Sequence, residues 1–309
     1  MSRAVRFERY GGVEVLEVVD VDPPQPGDGQ LLLRVRAAGI NPFESKLRSG
    51  LFKDAIPLSF PAAQGNDVAG VVEAVGPGVD RFAVGDELVA TTAKRGSQAQ
   101  LALVAQDRAV ARPAAVPWEV AGGLWTVGTA AYATVAAVSV ADGDVLIVAG
   151  ASGGVGGLAA QLARQRGATV IGIAGADGHA WLRSRGIIPV VYGDGLAQRV
   201  ALAVAASGPP TALIDTVGRG YVDLGIELGI APQRIDTIVD DGAAARHGAK
   251  TDGAQAVTDP LAAITEIVAL IAAGEVELPI AASFPLDQVR DAYTLLETGH
   301  PPGKIVLIP

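Results

Sequence analysis

One run carries the clearest chemical signal: VLIVAGASGGVGG, residues 145–157. An apolar strand leads into Gly150, Gly153, Gly154 and Gly156, and a helical pattern starts at once. A pyrophosphate needs such a run, because it must approach the backbone closely at a helix N-terminus. Free N–H groups and the helix dipole favour negative charge there, and a Cβ would obstruct. Gly150, Ser152, Gly153, Gly154 and Val155 are therefore expected to hold the phosphates of a dinucleotide. The competing reading is a tight strand-to-helix turn that needs positive φ. Context weighs against it, because a second buried strand at 169–174 completes the βαβ unit that the motif requires.

The end of that second strand bears on which dinucleotide binds. An Asp or Glu there, about 20 residues on, would hold the ribose hydroxyls of NAD. The strand ends instead at Ala174-Gly175, with Asp177 two residues further. His179 and Arg183 follow on the next helix, and Tyr192 ends the third strand. These donors suit a 2′-phosphate, so NADPH is the expected cofactor, with Gly175, His179 and Tyr192 among its contacts. Asp177 keeps NADH open.

The elements that position these residues fall into two textures. Residues 1–115 read as short strands joined by Gly/Pro turns, at 31–37, 68–75, 87–90 and 99–104, which suggests an antiparallel, barrel-like region. From about residue 117 helix and strand alternate. A helix at 120–137 precedes a strand at 144–149, and a helix at 155–166 ends before Gly167, a C-cap. Strands follow at 169–174, 190–191 and 213–215, with helices at 179–184 and 197–206. Alternation of this kind implies a parallel sheet covered on both faces. The C-terminal end returns to the first texture, with helices at 260–273 and within 284–297 and a strand at 303–308. Residues 240–253, DDGAAARHGAKTDG, are the expected mobile loop.

Composition narrows the function classes. The 309 residues, half of them apolar, are enough for about two domains with a sizeable core. With 24 basic against 33 acidic residues the net charge is −9, and no Lys/Arg run opposes it. Nucleic acid and anionic membrane are thus disfavoured as partners. No cysteine is present, which excludes disulfides, thiolate nucleophiles and Cys-ligated zinc. No stretch reaches about 18 uninterrupted apolar residues, and the N-terminus lacks the apolar core of a signal peptide. A soluble, cytoplasmic protein is expected.

Taken together, AAGINPFESKLRSG (37–50), GNDVAGVVEAVGPGV (65–79), FAVGDEL (82–88), the Gly-rich turn, LIDTVG (213–218) and GHPPGKIVL (299–307) resemble the quinone oxidoreductase branch of the medium-chain dehydrogenase/reductases. Their order and spacing carry the resemblance over essentially the whole chain. It implies an α/β fold in which a Rossmann doubly wound parallel sheet is inserted in a GroES-like, mainly antiparallel β-barrel. The expected domains are 1–122 with 260–309 (catalytic) and 123–259 (NADPH-binding). It also implies a homodimer that pairs sheet edges near 234–239.

Zinc alcohol dehydrogenases of the same superfamily place a Cys where this chain has Asn41, a His-Glu pair near Asn66-Asp67, and a four-Cys loop elsewhere. None of these ligands is present, so no metal is expected. The resemblance places Asn41 near the nicotinamide or the substrate, as the catalytic position; its other reading is an Asx-type turn with Pro42. It strengthens His179 and Tyr192 as cofactor contacts, brings Lys304 over the site, and lines the nicotinamide with Thr216, Val217 and Gly218. Asp215 either caps a turn or touches cofactor. Two departures matter: Ala130 stands where relatives carry Thr, leaving Thr126 and Thr129 as the neighbours that could serve, with Thr126 the expected contact of cofactor and substrate, and Phe52 replaces a substrate-side Tyr. With no phenol there, no side-chain proton donor is evident.

The expected activity is zinc-independent hydride transfer from NADPH to a quinone. The alternatives are reduction of an α,β-unsaturated ketone or aldehyde, or a low-turnover NADPH-binding redox sensor. In each case the partner is a small conjugated molecule, and positioning at about 3–3.5 Å supplies most of the catalysis.

Overall fold

A computed structural model describes residues 1–254, 257–299 and 301–309; His300 lies outside them. The chain opens with β1 (Ser2–Phe7), β2 (Glu17–Val21) and β3 (Gln30–Gly39), followed by α1 (Pro42–Arg48). Strands β4 (Ala62–Ala63), β5 (Asp67–Val75), β6 (Glu87–Thr91), β7 (Leu101–Ala105) and β8 (Ala109–Ala111) lead to α2 (Trp118–Gly123) and α3 (Trp125–Ala137). The alternating part runs through β9 (Val145–Ala149), α4 (Gly154–Gln165), β10 (Thr169–Ala174), α5 (His179–Ser184) and β11 (Ile188–Val191). It continues with α6 (Leu196–Ser207), β12 (Ala212–Asp215), α7 (Tyr221–Glu227), β13 (Ile235–Thr237) and α8 (Asp241–His247). Then come α9 (Pro260–Ala272), β14 (Ile280–Pro285), α10 (Val289–Thr298) and β15 (Lys304–Ile308).

These elements form two compact units, Met1–Thr126 with Ile264–Pro309 and Val127–Ala263. The first holds a seven-stranded sheet of path β14-β15-β3-β5-β6-β8, with β7 also on β3, and a small sheet β2-β1-β4. Most pairings are antiparallel, but β14 and β15 run parallel. The path ends at β14 and β8, and among the described residues the strand pairings do not show a closed barrel. The strands of this sheet bury alternate or consecutive apolar residues, as in β3, where Leu31, Leu33 and Ala37 are fully enclosed. The helix expected within 284–297 is found as α10, preceded by strand β14. The residues of β14 alternate between half-buried and exposed, the period of a strand with one covered face.

The second unit is a five-stranded parallel sheet of order β11-β10-β9-β12-β13. Central β9, VLIVA, is buried throughout, as a strand covered on both faces must be. The chain moves outward from β9 to β10 and β11, then crosses to β12 and β13. Its switch point therefore lies between β9 and β12, where open α/β sheets bind ligands at the carboxyl ends of their strands. Gly167, at φ +87°, follows the last turn of α4 as expected.

Three expectations are corrected. The helix at 120–137 is broken at Leu124 into α2 and α3. Gly122 lies flat on β3, where a Cβ would come within 2.6 Å of the Ala37 carbonyl oxygen. The loop at 240–253 is ordered: Asp240 caps α8 by accepting from Ala243 N at 2.9 Å, and a 3₁₀ turn covers Asp252–Ala254. Finally, the outer edge of β13 is occupied. Lys250 N donates to Ile235 O and accepts Thr237 N–H through its own carbonyl, at 2.8 and 3.0 Å. The edge expected to pair across a two-fold is thus filled by the same chain at Ile235–Thr237.

Candidate cofactor and substrate site

In the second unit, the Gly-rich turn is built by its own backbone. Gly150 leaves β9 at φ +78°, and a Cβ on it would lie 2.4 Å from Thr216 Oγ1 and 2.8 Å from Val217 Cγ2. The backbone therefore runs against the segment that follows β12, at the switch point. Gly153 is the N-cap of α4 without any side-chain cap, and its N–H donates to Gly150 O at 2.9 Å. Ser152, Gly153, Gly154 and Val155 are half-buried, whereas Gly156 is enclosed. The first-turn N–H groups of α4 have no intrahelical acceptor, the arrangement that receives an anion.

Thr216 fastens the neighbouring strands: its N–H and hydroxyl both donate to Ala149 O, at 3.3 and 2.8 Å. Asp215 proves to be the turn cap, accepting from Val217 N and Gly218 N at 2.9 and 2.8 Å and from the Thr237 hydroxyl at 2.8 Å. It holds Thr216–Gly218 in place, while Val217 is exposed. After β10, Asp177 folds back to accept from Gly178 N at 3.1 Å and lies against Gly175. His179, half-buried, has an enclosed Nε2 with no hydrogen-bond partner in the structure. Tyr192 is exposed.

In the first unit, a polar network is enclosed between β3, α1, β5, β15 and the start of α3. Asn41 caps α1, with Pro42 at the first helical position and Glu44 at the third; Glu44 Oε2 accepts Asn41 N at 3.1 Å in a capping box. The Asn41 amide is oriented from both ends: Lys304 Nζ donates to its Oδ1 at 2.6 Å, and its Nδ2 donates to Asp67 Oδ2 at 3.1 Å. Lys304 also donates to Ile40 O at 2.7 Å. Asp67 Oδ1 accepts the Thr126 hydroxyl at 2.5 Å and its N–H at 3.1 Å. Asn41, Glu44, Asp67 and Lys304 are each at most 5% exposed.

Glu44 is the second hub. It accepts from Tyr293 OH at 2.6 Å, Asn66 N at 3.0 Å and Gln98 Nε2 at 3.2 Å. Burial pushes its carboxyl up, and the Asp67 charge adds to this, while the Tyr293 hydrogen bond and Lys304 oppose it. The Tyr293 phenol is driven well up by burial and by Glu44, and burial lowers the Lys304 ammonium against the pull of both carboxylates. A raised folded-state pKa means that the native state keeps a proton the unfolded chain releases first. Glu44 therefore contributes stability at acid pH that is lost as pH rises through its folded value. Urea denaturation between pH 4 and 7 should show Glu44→Gln flattening that fall.

The residues singled out from sequence thus fall in two places. The glycines, Ser152, Val155, Gly175, His179, Tyr192 and Thr216–Gly218 lie at the carboxyl edge of the parallel sheet. Asn41, Thr126 and Lys304 meet in the buried network, where Lys304 points inward to Asn41 and Ile40. Phe52 is half-buried, with its ring 5.7 Å from that of Phe43. Sequence reasoning missed Glu44 and Asp67 as hubs. The Asn-Pro-x-Glu spacing of a capping box signals the first, and an acid inside the apolar run of β5 signals the second.

The family models that match are the alcohol dehydrogenase GroES-like domain, over residues 27–145, and the zinc-binding dehydrogenase, over 194–307. The quinone oxidoreductase of Pseudomonas aeruginosa is 28% identical across the full length of both chains. The structure of the quinone oxidoreductase from Coxiella burnetii superimposes with a TM-score of 0.85 at 26% identity, covering 100% of this chain and 99% of that one. The Escherichia coli quinone oxidoreductase complexed with NADPH shares the fold, with a TM-score of 0.84 at 24% identity over 99% and 100% of the two chains.

Proposed function

Because the chain belongs to the quinone oxidoreductase branch of the medium-chain dehydrogenase/reductase superfamily, and is an oxidoreductase, we propose that it moves hydride from NADPH to a quinone without zinc. The observation that carries this reading is the uncapped glycine turn between β9 and α4 at the switch point. Its close backbone approaches leave a cradle that side chains would fill. The unpartnered His179 Nε2 supports NADPH, since a 2′-phosphate would satisfy it.

Bound there, the dinucleotide supplies the hydride from C4 of its nicotinamide. The N–H groups of Gly153, Gly154 and Val155 would bind its pyrophosphate, and Thr216–Gly218, fixed by Asp215, would orient the nicotinamide end. Phe52 would pack against the flat acceptor. The zinc-free part of the proposal rests on residue types. Asn41 and Asn66-Asp67 stand where the zinc enzymes carry ligands, and Asn41 and Asp67 are held in a network with the Lys304 ammonium. We assign substrate binding to the first unit and NADPH binding to the second. Among the described residues no helix is long and apolar enough to cross a membrane, in keeping with a cytoplasmic placement. A homodimer remains part of the proposal, through a surface other than Ile235–Thr237, and sedimentation tests it.

Titration with NADPH and NADH, followed by turnover on 1,4-benzoquinone and on one enone, tests the reading. NADPH should bind more tightly. Replacing His179 with Ala should weaken NADPH about tenfold, the scale of one charge-assisted hydrogen bond, and leave NADH unchanged. NADPH binding without turnover on either acceptor would point to a sensor, and preference for NADH would shift the specificity role to Asp177.

A further inference from the structure

The turn after β12 takes an unusual backbone over three successive residues. Gly218, Arg219 and Gly220 all have positive φ, at +80°, +64° and +88°. Glycine adopts this conformation freely, but Arg219 does not, because its Cβ crowds the following carbonyl oxygen. Such a run persists only where the structure around it holds both ends. One end is held by Asp215, which accepts from Val217 N and Gly218 N. The other leads into α7, whose N-cap Gly220 carries no side-chain cap. There the hold comes from α8. His247 Nε2 lies 2.6 Å from Asp223 Oδ1, and Arg246 Nη2 lies 3.5 Å from Asp223 Oδ2. Asp223 stands in the first turn of α7, directly after Gly220. Its carboxyl is pulled below the usual range by the His247 hydrogen bond, with the Arg246 charge adding to it. An ionised carboxylate only accepts, so His247 Nε2 is the donor.

Helix α8 is itself tied to the sheet. Its N-cap Asp240 donates its N–H to Thr237 Oγ1 at 3.1 Å, and the Thr237 hydroxyl donates to Asp215 Oδ2 at 2.8 Å. Asp215 and Asp223 thus close a ring through β12, the 216–220 turn, α7, α8 and β13. From this ring, and resting on the functional reading above, we propose that His247 is a positioning residue for NADPH. Its hydrogen bond to Asp223 staples the start of α7 to α8, and so holds Thr216–Gly218 in the form that receives the nicotinamide half of the cofactor. Sheet order places the two halves. A dinucleotide lies across the switch point with its adenosine ribose at the end of the second strand, here β10. The nicotinamide half then falls on the β12 side, where the turn is. A partly exposed ion pair is weak alone, but this one acts on a turn that already resists its own conformation. Without it the turn spends part of its time outside the binding form, and apparent affinity falls with that fraction. The adenosine half, on the β10 side, is unaffected.

His247→Ala, Asp223→Ala, the double variant and His247→Gln test the staple. Glutamine carries an amide nitrogen near the position of Nε2 and keeps the donor. In the cofactor-free protein, amide exchange at Val217 and Gly218, the two donors to Asp215, should be about threefold faster in either Ala variant, the scale of one partly exposed ion pair. The double variant should be no faster than Asp223→Ala alone, since both changes remove the same interaction. His247→Gln should exchange as the wild type does. Calorimetric titration should show NADPH bound about threefold more weakly by the Ala variants and normally by His247→Gln. Adenosine 2′,5′-bisphosphate, which lacks the nicotinamide half, should bind all of them equally. Exchange at the wild-type rate in both Ala variants overturns the staple while the functional reading stands. Faster exchange with unchanged NADPH affinity, or an equal loss for the bisphosphate, overturns the positioning role. A wild type that binds no NADPH overturns the functional reading, and the role of His247 toward the cofactor falls with it.

Discussion

Gly156→Ala is expected to lower NADPH affinity about a hundredfold and to cost about 2 kcal/mol of stability, whereas Gly153→Ala, three residues earlier, should do little of either. A Cβ on Gly156 would stand 2.3 Å from Gly150 O, 2.8 Å from Gly150 C and 3.2 Å from Ala151 N. All three are backbone atoms, so relief requires opening the turn. Forcing a methyl into a packed site costs typically 1–3 kcal/mol. The same opening would displace the N–H groups at the start of α4. Two charge-assisted hydrogen bonds weakened at about 1.5 kcal/mol each give the hundredfold loss. At Gly153 the Cβ would meet only Gly150 O, at 3.3 Å, and its φ of −83° suits any residue. Calorimetric titration and urea denaturation of the two variants check the contrast. Equal behaviour would mean that the close approach of α4 to β9 does not shape the binding turn.

That turn was legible because its determinants are local. Strand, glycines and helix follow one another within residues 145–165, and the apolar run of β9 reports burial on both faces directly. The network around Asn41 was far less legible, although Asn41 itself was singled out. Its partners lie 26 residues away at Asp67 and 263 away at Lys304, and Tyr293 reaches Glu44 across 249 residues. No periodicity reports such pairings; they exist only once β3, β5 and β15 have been brought into one sheet. The misread elements have the same origin. The helix expected at 120–137 is interrupted at Leu124, where α2 ends against β3 through the close approach of Gly122 to Ala37, a contact invisible in the local pattern. Residues 240–253 look like a loop by composition. They are ordered by the Asp240 cap, by Lys250 on the edge of β13, and by Gly253 N donating to Asp236 at 3.1 Å.

The buried charges of that network also govern how the first unit responds to substitution. Replacing Lys304 with Met should destabilise the protein by about 4 kcal/mol near pH 8, the scale of leaving buried charge uncompensated. Methionine nearly matches the lysine stem in volume, so packing changes little and the effect is electrostatic. Ile40 O and Asn41 Oδ1 lose their donors, the Asn41 amide loses the contact that orients it, and Asp67 and Glu44 remain enclosed without the cation. The sign of the pH dependence follows. In the wild type the Lys304 charge pulls the Glu44 carboxyl down against burial. Without it, Glu44 holds its proton to still higher pH in the folded state. A raised folded pKa contributes stability below that value and loses it above, so acidification should restore part of what the variant lacks. Urea denaturation of both proteins at pH 5 and pH 8 measures this. The deficit should shrink toward pH 5, and a deficit independent of pH would mean that Lys304 acts through its packing and its two hydrogen bonds, with its charge playing no part.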